Sequence, residues 1–454
     1  MRHSVTWTLV AVLAIVLQAC GGAAASPSAS TSAPATSSNA AATGSPAAAP
    51  AEIVITCTGC EASDTDIFVN ESHRLAEAFN AANKGKYRIE YVPFAGVNDQ
   101  TQFTPYLKRL ATNDQLPDLF VTAGYVIKDL GKTGRTVDFA PALAADQTWA
   151  SSFYDDAFSS LRDDAGHVWG IPRTRSSIGI FWNKDLFTKA GLTSFPKTWD
   201  ETLTAAKALK DKGITPFAMD GAWITQLWWS NLIGTQDGGP EFMSSGIAKG
   251  GYADLPFVVQ ATERLKQLYT DGYVNADSFS GDFQKADTLF LTEKAATEAN
   301  GPWEIPSAIN GKSANPGLYD RVAYAIAPGN GVIAVSGEGS FGSGARTDAT
   351  KEAVTAFMKF MLTKEQALAG YKAVGTGWPV KLDLTDADKA QIDPVTAAFL
   401  ADADGAARTY VHALQATPAT FLDAWKNNWP AYVQNAMSTK EFLDKMSAAG
   451  TPKS

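Results

Sequence analysis

The stretch GIPRTRSSIGIFWNKDLF, residues 170–187, carries the pattern that decides how the chain is organised. It begins as a loop with Gly170 and Pro172, continues through the apolar run 178–182 and ends as a helix start. Arg173 and Arg175 lie two residues apart, so an extended backbone would place both on one face. Two cations on a strand that leads into an apolar core distinguish this segment from an ordinary strand.

The segments on either side of this stretch alternate short apolar runs with helical patterns. Before it, EIVIT (52–56), YRIEYVPF (87–94) and LPDLFVTAG (116–124) are typical of strands separated by helices. Such alternation predicts an α/β fold with a mostly parallel sheet flanked by helices. After it, a second set of strands and helices begins, and residues 383–449 predict a helical array.

The composition bounds the classes of protein that the chain can be. Its 454 residues suffice for two or three domains, and 45% hydrophobic with 19% charged residues is ordinary globular usage. The net charge of -9 argues against general affinity for nucleic acid or anionic lipid. Aromatic residues are abundant, with 12 Trp, 13 Tyr and 23 Phe. Tryptophan packs in cores and also stacks on flat apolar ligand faces.

The N-terminus indicates export. Residues 1–20 have a short basic start and an apolar stretch too short to span a bilayer, which is typical of a signal peptide. The ending LQAC is similar to the bacterial lipoprotein box and predicts lipidation of Cys20, although Gln18 departs from that box. Alternatively, an ordinary signal is cleaved nearby. Residues 21–51, almost without charge or large side chains, predict a flexible tether.

The two remaining cysteines, Cys57 and Cys60, follow the first predicted strand as C-x-x-C. In an exported protein this spacing favours a disulfide, worth on the order of 2 kcal/mol for so short a loop. A redox-active pair and a zinc site are the alternatives, and no second pair of ligands lies nearby for zinc.

Nucleotide, calcium and other cofactor motifs fail in their context, so we expect no cofactor and no metal. GEGSFG (337–342) fits the dinucleotide pattern, but residues 343–347 separate it from the next helix. The segments that end in GKS and GKT lack the first glycine of a phosphate-binding loop, and DADG (402–405) lacks the leading acid of a calcium loop.

Six blocks, in this order, resemble the extracellular solute-binding proteins of ABC importers, carbohydrate-type family 1, the maltose-binding-protein-like family. They are LPDLFVTAG (116–124), the segment 166–217 that contains the opening stretch, FLTEKAATEANGPWEIP (290–306), ARTDATKEAVTAFMKFMLTKEQ (345–366), GTGWPV (375–380) and STKEFLDKM (438–446). Each block alone matches the family only loosely, whereas the order and spacing of the six blocks together are specific to it.

The resemblance implies two α/β lobes joined by hinge strands, with ligand bound in the cleft between them. We expect residues 52–173 plus 342–378 in the first lobe and residues 174–341 plus 379–454 in the second. The crossings are predicted near 172–177, 336–342 and 377–381. The two arginines then lie at the floor of the cleft, where polar groups can meet a ligand.

A sugar has apolar ring faces and a rim of hydroxyls, so its site needs flat aromatic rings and fixed polar groups. Candidate ligand-binding residues stand at breaks after predicted strands. The aromatic candidates are Trp303, Trp223, Trp378 and Tyr125, of which Trp303 matches the family's GPW block. Alternatively, each packs against its own lobe. We assign Trp182, Trp228 and Trp229 to the core, whereas Trp425 and Trp429 could reach the cleft from the tail helices.

The polar candidates lie in the crossing and in loops. Arg173 and Arg175 would together grip a carboxylate or phosphate, which favours an acidic sugar or a phosphorylated polyol. Alternatively, they pair with structural carboxylates at the hinge or point to solvent. The remaining candidates are Ser176 and Gly301, and Asp99, Asp220 and Glu61 as acceptors of sugar hydroxyls.

The resemblance implies a binding protein and not an enzyme, with a carbohydrate or polyol ligand and ABC permease subunits as partners. We expect a monomer held by its lipid at the extracellular face of the cell membrane or in the periplasm. A secreted glycosidase or lyase is the alternative from another class, but no motif singles out its two carboxylates. A ligand-sensing co-receptor would share the fold and differ only in its partner.

Overall fold

A computed structural model describes residues 51–64, 66–94, 96, 100–311, 315–336 and 339–451. Its first sheet has the strand order β2-β1-β3-β10-β4. β1 pairs in parallel with β2 and β3, as the sequence predicts, whereas β10 is antiparallel to both of its neighbours. The strands are β1 Ile53–Thr58, β2 Tyr87–Tyr91, β3 Leu119–Thr122, β4 Gly170–Ile171 and β10 Ser340–Gly342.

Helices cover this first sheet because their apolar faces join its core. Leu75 and Phe79 of the first helix, for example, pack with Ile55 and Ile89 of the sheet. The helices before the crossing are α1 Ile67–Ala82, α2 Gln100–Thr112, α3 Gly124–Gly131, α4 Ala140–Ala145 and α5 Gln147–Ser152. Two later helices follow β10, namely α13 Asp348–Met361 and α14 Lys364–Val374.

The second sheet has the order β11-β9-β5-β7-β6, with β8 paired to β5. β5 is the long central strand, antiparallel to β7, β8 and β9. Among the described residues of this sheet, β6 pairs in parallel with β7 and β9 with β11, and Phe217 forms a further parallel bridge with Val274. The strands are β5 Arg175–Asn183, β6 Thr215–Phe217, β7 Ala295–Asn300, β8 Val322–Ala325, β9 Gly331–Ser336 and β11 Arg408–Tyr410.

The helices around the second sheet include the most aromatic part of the chain. The predicted capping box is present at the start of α7. The Thr198 side chain accepts from the Glu201 N–H, and the Glu201 carboxylate accepts from the Thr198 N–H. The helices are α6 Lys184–Lys189, α7 Trp199–Asp211, α8 Trp223–Gly234, α9 Gly239–Glu241, α10 Pro256–Thr270, α11 Phe283–Leu291, α12 Leu318–Arg321, α15 Asp386–Lys389, α16 Pro394–Asp404, α17 Ala413–Ala416, α18 Ala419–Val433 and α19 Thr439–Gly450. The predicted helical array of the tail is interrupted by β11, which completes the second sheet.

The chain passes between the two sheets twice, at neighbouring positions of their strands. Ile171 of β4 pairs with Phe341 of β10 in the first sheet, and Arg175 of β5 pairs with Ser336 of β9 in the second. The segments between these paired residues therefore connect the sheets in opposite directions. The opening stretch of the sequence is one of them, and the fold is the two-lobe solute-binding architecture that the resemblance implied.

Two lobe boundaries differ from the sequence prediction. Phe341 belongs to the first sheet and core, one residue before the predicted return at 342. Val380 pairs with Phe153 and, with Leu382, packs on the first core, although 379–454 were predicted in the second lobe. The apolar side chains at 380 and 382 keep the chain on the first lobe for a few residues longer.

Each sheet lies in its own hydrophobic core. The second-lobe core is dominated by large aromatic side chains, and Trp228, Trp229, Trp425 and Trp429 are all fully buried in it. The core assignment of Trp228 and Trp229 is therefore confirmed, and the tail tryptophans do not reach the cleft. The described residues form one compact unit, and no helix among them has the length and apolar character to cross a membrane.

Candidate ligand-binding cleft

A cleft of about 310 Å³ lies where the two sheets meet the crossings. Its apolar lining consists of Phe68, Val69, Val121, Ala123, Tyr125, Trp303 and Val335. Its polar or small lining consists of Gly59, Ser72, Thr122, Arg173, Thr174, Ser176, Gly339 and Thr376. Arg173 is the one charged residue in this described lining, and the rest combines apolar surface with short hydrogen-bonding side chains.

The first-lobe side of the cleft begins at the tip of β1. Cys57 and Cys60 are joined as a disulfide with Cα atoms 5.8 Å apart, which holds the loop that brings Gly59 into the lining. Glu61 accepts hydrogen bonds from the backbone N–H groups of Gly59 at 2.8 Å and Phe94 at 3.0 Å. Glu61 therefore shapes the loop and is absent from the described lining, where the sequence predicted a ligand acceptor.

Arg173 forms part of the floor of the cleft and is 7% exposed. Its Nη1 donates to the carbonyl of Phe68 at 3.1 Å and to Ser72 Oγ at 2.9 Å. Its Nε has no hydrogen-bond partner among the described residues. Burial lowers the pKa of the guanidinium from its ordinary value, and the charge of Glu71 raises it. The sequence prediction of a cation at the cleft floor thus applies to this arginine.

Arg175, two residues on, has a different environment. Its Nε donates to the carboxylate of Asp156 at 2.9 Å, and its guanidinium lies 4.6 Å from the ring centroid of Tyr154. It is absent from the described lining, so the two arginines do not form one grip. Arg175 therefore matches the alternative interpretation, in which the cation pairs with a carboxylate at the hinge. Ser176 lines the cleft, and its Oγ accepts from the Gly377 N–H at 3.3 Å.

Trp303 forms the second-lobe face of the cleft and follows β7 in a tight turn. The Glu304 N–H donates to the carbonyl of Gly301 at 3.1 Å, and the indole folds back over Gly301. A Cβ at residue 301 would lie 2.2 Å from the Trp303 ring, so this turn requires glycine. Tyr324 donates to the Asn300 carbonyl at 2.7 Å and fixes the strand end. Gly301 therefore acts by positioning the indole.

Of the other aromatic candidates, Tyr125 lines the cleft and is 49% exposed. Trp223 lies beside Trp303 with ring centroids 6.1 Å apart and planes 28° apart, just outside the described lining. Trp378 lies further away, edge-on to Tyr371 at 5.8 Å and packed against the first core. The structure brings Trp303, Trp223 and Tyr125 to the cleft and places Trp378 behind its floor.

Asp220 is fully buried and accepts from the backbone N–H groups of Ala222 at 3.0 Å and Trp223 at 3.0 Å. It caps the start of α8 and is absent from the described lining of the cleft, where the sequence predicted a ligand acceptor. Asp99 and Cys20 lie outside the described residues. Their predicted roles, in ligand binding and in lipidation, stay predictions.

Sequence reasoning missed Phe68 and Ser72, which line the cleft from the first turns of α1. The helical pattern NESHRLAEAFNAANKG of the sequence begins at residue 70, whereas the helix begins at Ile67, where Asp66 caps it by accepting from the Phe68 and Val69 N–H groups. The aspartate before an apolar run was the available signal. An earlier helix start would have placed these side chains beside the predicted tip of β1.

A group of buried carboxyls lies around Asn300 at the end of β7, next to the turn that carries Trp303. Asn300 Nδ2 donates to Asp287 at 3.2 Å and to Glu298 at 3.3 Å. Burial raises the pKa of Asp287, raises that of Glu298 well above its ordinary value and raises that of Glu304 to about 8. Glu304 is therefore largely protonated near neutral pH. No three His, Cys, Asp or Glu side chains in the described ranges are placed to hold a metal ion.

Curated relatives carry solute-binding names. Over 223 residues the chain is 27% identical to the multiple sugar-binding protein of Streptococcus mutans, covering 47% of this chain and 52% of that protein. Over 147 residues it is 31% identical to the sn-glycerol-3-phosphate-binding periplasmic protein of Rhizobium meliloti, covering 30% of this chain and 33% of that protein. The chain thus spans between a third and half of the length of these two relatives.

Solved structures share the fold. A chitin oligosaccharide binding protein superposes with a TM-score of 0.72 at 22% identity, covering 87% of this chain and 98% of its own. The cyclic alpha-maltosyl-1,6-maltose binding protein from Arthrobacter globiformis gives 0.67 at 17% identity, covering 88% and 98%. At such identities the likeness concerns the fold alone. The profile of one family, described as bacterial extracellular solute-binding protein, matches residues 69–368. With that match and this fold, the chain belongs to the bacterial extracellular solute-binding proteins, as the resemblance implied.

Proposed function

We propose that the protein captures a carbohydrate or related small solute between its lobes and passes it unchanged to an ABC transporter permease. The observation that carries this proposal is the cleft itself, where the Trp303 indole faces a wall of short polar side chains from the first lobe and the crossings. An indole stacks on the apolar face of a sugar ring, and fixed hydroxyls and backbone groups match its rim.

The names of the relatives support this ligand class. They include a multiple sugar-binding protein, a glycerol-phosphate-binding protein and a xylose/arabinose-binding protein. Their ligands are small, rich in oxygen and compatible with the size of the cleft. A ligand with an anionic group is compatible with this cleft, because Arg173 lines it and its Nε has no hydrogen-bond partner among the described residues.

Transfer without reaction is supported by the placement of the acids. A glycosidase needs two carboxyl groups on either side of the scissile bond. The described lining of the cleft contains no Asp or Glu, and the carboxyls of Asp287, Glu298 and Glu304 are buried next to the turn that carries Trp303. We therefore assign the protein no catalytic role.

Binding is coupled to the relative position of the lobes in this proposal. Arg173, Ser176 and Val335 lie in or beside the adjacent crossings, so a bound solute touches both lobes and the hinge together. A ligand that contacts both walls favours the closed arrangement by its extra contacts. The closed surface would be the one that a permease recognises.

The N-terminal part of the proposal rests on the sequence. Residues 1–20 would direct export, Cys20 would carry the lipid, and 21–51 would tether a monomer at the outer face of the membrane or in the periplasm. Globomycin treatment of expressing cells tests the anchor, because inhibition of lipoprotein signal cleavage should leave the precursor uncleaved. Release of a shorter soluble form under the same treatment would contradict it.

A thermal-shift panel tests the ligand class. The purified chain is mixed with neutral mono- and oligosaccharides, uronates, sugar phosphates and polyols, and each mixture is also checked for new products by chromatography. At a hundredfold excess over Kd, binding adds about 2.7 kcal/mol and raises the Tm by several degrees. A rise with one sugar class and unchanged ligand supports the proposal. Formation of product, or no response to any carbohydrate or polyol, contradicts it.

A further inference from the structure

We propose that the cleft holds an anionic group of its ligand between the Arg173 guanidinium and the N-terminus of α3, so that the solute is a sugar or polyol that bears a carboxylate or a phosphate. The inference rests on the proposed function and adds the chemical class of the ligand. The shared chemistry is a small group of negatively charged oxygens, which a guanidinium and the backbone N–H groups of a helix start both recognise.

The first half of this site is the start of α3, which follows β3 directly. Its N-cap residue, Ala123, has an extended backbone and no side-chain oxygen that could accept from the first-turn N–H groups. α1, which also starts beside the cleft, is instead capped by the Asp66 carboxylate. Thr122, Ala123 and Tyr125 line the cleft, so the positive end of the α3 dipole opens onto it.

The second half is Arg173, an independent observation that points to the same ligand chemistry. It is only 7% exposed, it lines the cleft, and its Nε has no hydrogen-bond partner among the described residues. The acceptors of its Nη1, the Phe68 carbonyl and Ser72 Oγ, are both uncharged. Burial disfavours the charged guanidinium and lowers its pKa, so an anion beside it would offset part of that cost.

The acids whose charge acts on Arg173, Glu71 and Asp66, already have other partners. Both carboxylate oxygens of Glu71 accept from the guanidinium of Arg74, each at 2.7 Å. Asp66 accepts from two backbone N–H groups at the start of α1. Neither carboxylate therefore serves as a hydrogen-bond partner of Arg173, and the ligand can supply one.

The strand order brings the two halves together. β10 pairs with β3 on one side and with β4 on the other, so α3 and Arg173 follow strands that end at the same edge of the sheet. Neighbouring strands lie about 4.8 Å apart, which sets the two backbone segments about 10 Å from each other. Gly339, just before β10, lies between them, and a Cβ there would be 2.7 Å from Arg173 Nη2. The guanidinium thus reaches over β10 toward the start of α3, and one carboxylate or phosphate fits between the two.

The rest of the cleft suits the uncharged part of such a ligand. The Trp303 indole offers its face to a sugar ring within the cleft of about 310 Å³. The described lining contains no Asp or Glu that would repel an anion. A neutral sugar would leave the guanidinium and the start of α3 without a charged partner. We therefore expect the cleft to prefer the anionic member of a matched pair.

Calorimetric titration with matched neutral and anionic ligands tests this inference. The purified chain is titrated with glucose, glucuronate and glucose 6-phosphate, with galactose and galacturonate, and with glycerol and glycerol 3-phosphate. We expect an anionic ligand to bind at least about tenfold more tightly than its neutral counterpart, because hydrogen bonds to charged groups are the stronger ones. Comparison of the uronates with the phosphates then identifies which anionic group the site takes.

Substitutions on both halves test where the anion lies. Arg173→Gln removes the charge from the cleft floor, and Arg175→Gln, the matched control, removes the same charge outside the described lining. Ala123→Asp places a carboxylate at the half-buried N-cap position of α3, and Ala123→Asn adds an isosteric neutral cap. We expect Arg173→Gln and Ala123→Asp each to reduce the preference for the anion to about threefold or less. Arg175→Gln should keep the preference, and Ala123→Asn should reduce it less than Ala123→Asp does.

The outcomes separate this inference from the proposed function. A neutral ligand that binds as tightly as its anionic counterpart overturns the anion site and leaves the carbohydrate-binding proposal intact. The same holds if the preference survives in Arg173→Gln and Ala123→Asp, or if the two Ala123 variants lose it equally. Should Arg173→Gln not fold, the wild-type ratio and the Ala123 variants decide, because a helix cap should keep or raise the Tm. If no carbohydrate or polyol, charged or neutral, binds the wild type, the proposed function fails and this inference fails with it.

Discussion

The two walls of the cleft consist of different kinds of residue. The first-lobe wall is assembled from short residues at the ends of β1 and β3 and at the start of α1, such as Gly59, Ser72 and Thr122. The second-lobe wall is a pair of indoles, Trp303 and Trp223, held at a strand end and a helix start. The difference teaches that the paired indoles come from the second lobe, whereas the first lobe supplies short hydrogen-bonding side chains together with the rings of Phe68 and Tyr125. Neither lobe alone makes a complete site.

Buried charge is also divided between the walls. The first wall meets the buried cation Arg173, whereas the carboxyls of Asp287, Glu298 and Glu304 lie next to the turn that carries Trp303 in the second. The cation is hydrogen-bonded at the cleft floor, and the acids are absent from the described lining. Substitution of Arg173 should therefore change ligand binding, whereas substitution of the buried acids should change how stability depends on pH.

The largest effect is expected at Trp303. Trp303→Ala removes the central stacking surface of the second wall and should weaken solute binding about 30-fold or more. Trp303→Phe should restore part of the affinity because a ring remains. Trp199→Ala, at a partly buried tryptophan away from the described cleft lining, is the control. Equal affinity of Trp303→Ala and wild type by titration calorimetry would remove this residue from the site.

The two arginines of the opening stretch should differ. Arg173→Lys replaces a fork that bonds Ser72 and the Phe68 carbonyl in the cleft floor, and should weaken binding about tenfold or more. Arg175→Lys changes a half-exposed pair with Asp156 and should cost about 1 kcal/mol or less of stability, with little effect on affinity. Calorimetry and chemical unfolding measure both. A larger loss of affinity in Arg175→Lys than in Arg173→Lys would contradict the placement of Arg173 in the cleft and of Arg175 at the hinge.

Stability should fall as the pH rises from about 4.5 to about 8. The raised pKa values of Asp287, Glu298 and Glu304 mean that the folded state holds protons that the unfolded state releases above its ordinary carboxyl pKa of about 4.5. The free energy of unfolding is thus highest below that value and declines toward about 8, the pKa of Glu304. The other acids facing this group are Asp220 and Asp282.

Urea unfolding between pH 5 and 9 measures this decline. Glu304→Gln removes one titrating proton and should flatten the decline, whereas Glu241→Gln, an exposed acid of α9, should not. A wild-type stability that rises over the same pH range would contradict buried acids with raised pKa values next to the second wall.

Only a small effect on affinity is expected at the disulfide loop of the first wall. The double substitution Cys57→Ser and Cys60→Ser opens a loop that closes only a short segment, so the loss of stability should be about 2 kcal/mol. Gly59 lies in the lining, so a small decrease in affinity should accompany it. Thermal melting with and without a reducing agent measures the loss of stability. An unchanged Tm, both in the double variant and in the reduced wild type, would show that the disulfide does not contribute to stability.

Local patterns in the sequence predicted much of this molecule. The capping box at Thr198, the strands around the crossings and the turn that presents Trp303 each depend on neighbouring residues, which the sequence displays directly. The sequence did not predict contacts between residues that are far apart in the chain. The sequence could not show that Arg175 meets Asp156 or that β11 joins β9, because those pairings depend on how loops and the tail return to the sheet.

Asp220 illustrates a second limit. An aspartate three residues before a helix serves equally as a helix cap or as a ligand acceptor, and only its burial separates the two roles. Phe68 was missed for the opposite reason, because an apolar residue in a first helical turn ordinarily packs on its own core. Here it meets Trp303 from the other lobe.

The central claim is that a solute held between the two walls draws the lobes together and is not changed. Small-angle X-ray scattering of the protein, with and without a saturating amount of the sugar that gives the largest thermal shift, tests it most directly. The account predicts a smaller radius of gyration with ligand and full recovery of the intact sugar afterwards. A bound sugar with an unchanged scattering curve, or recovery of a cleaved product, would contradict it.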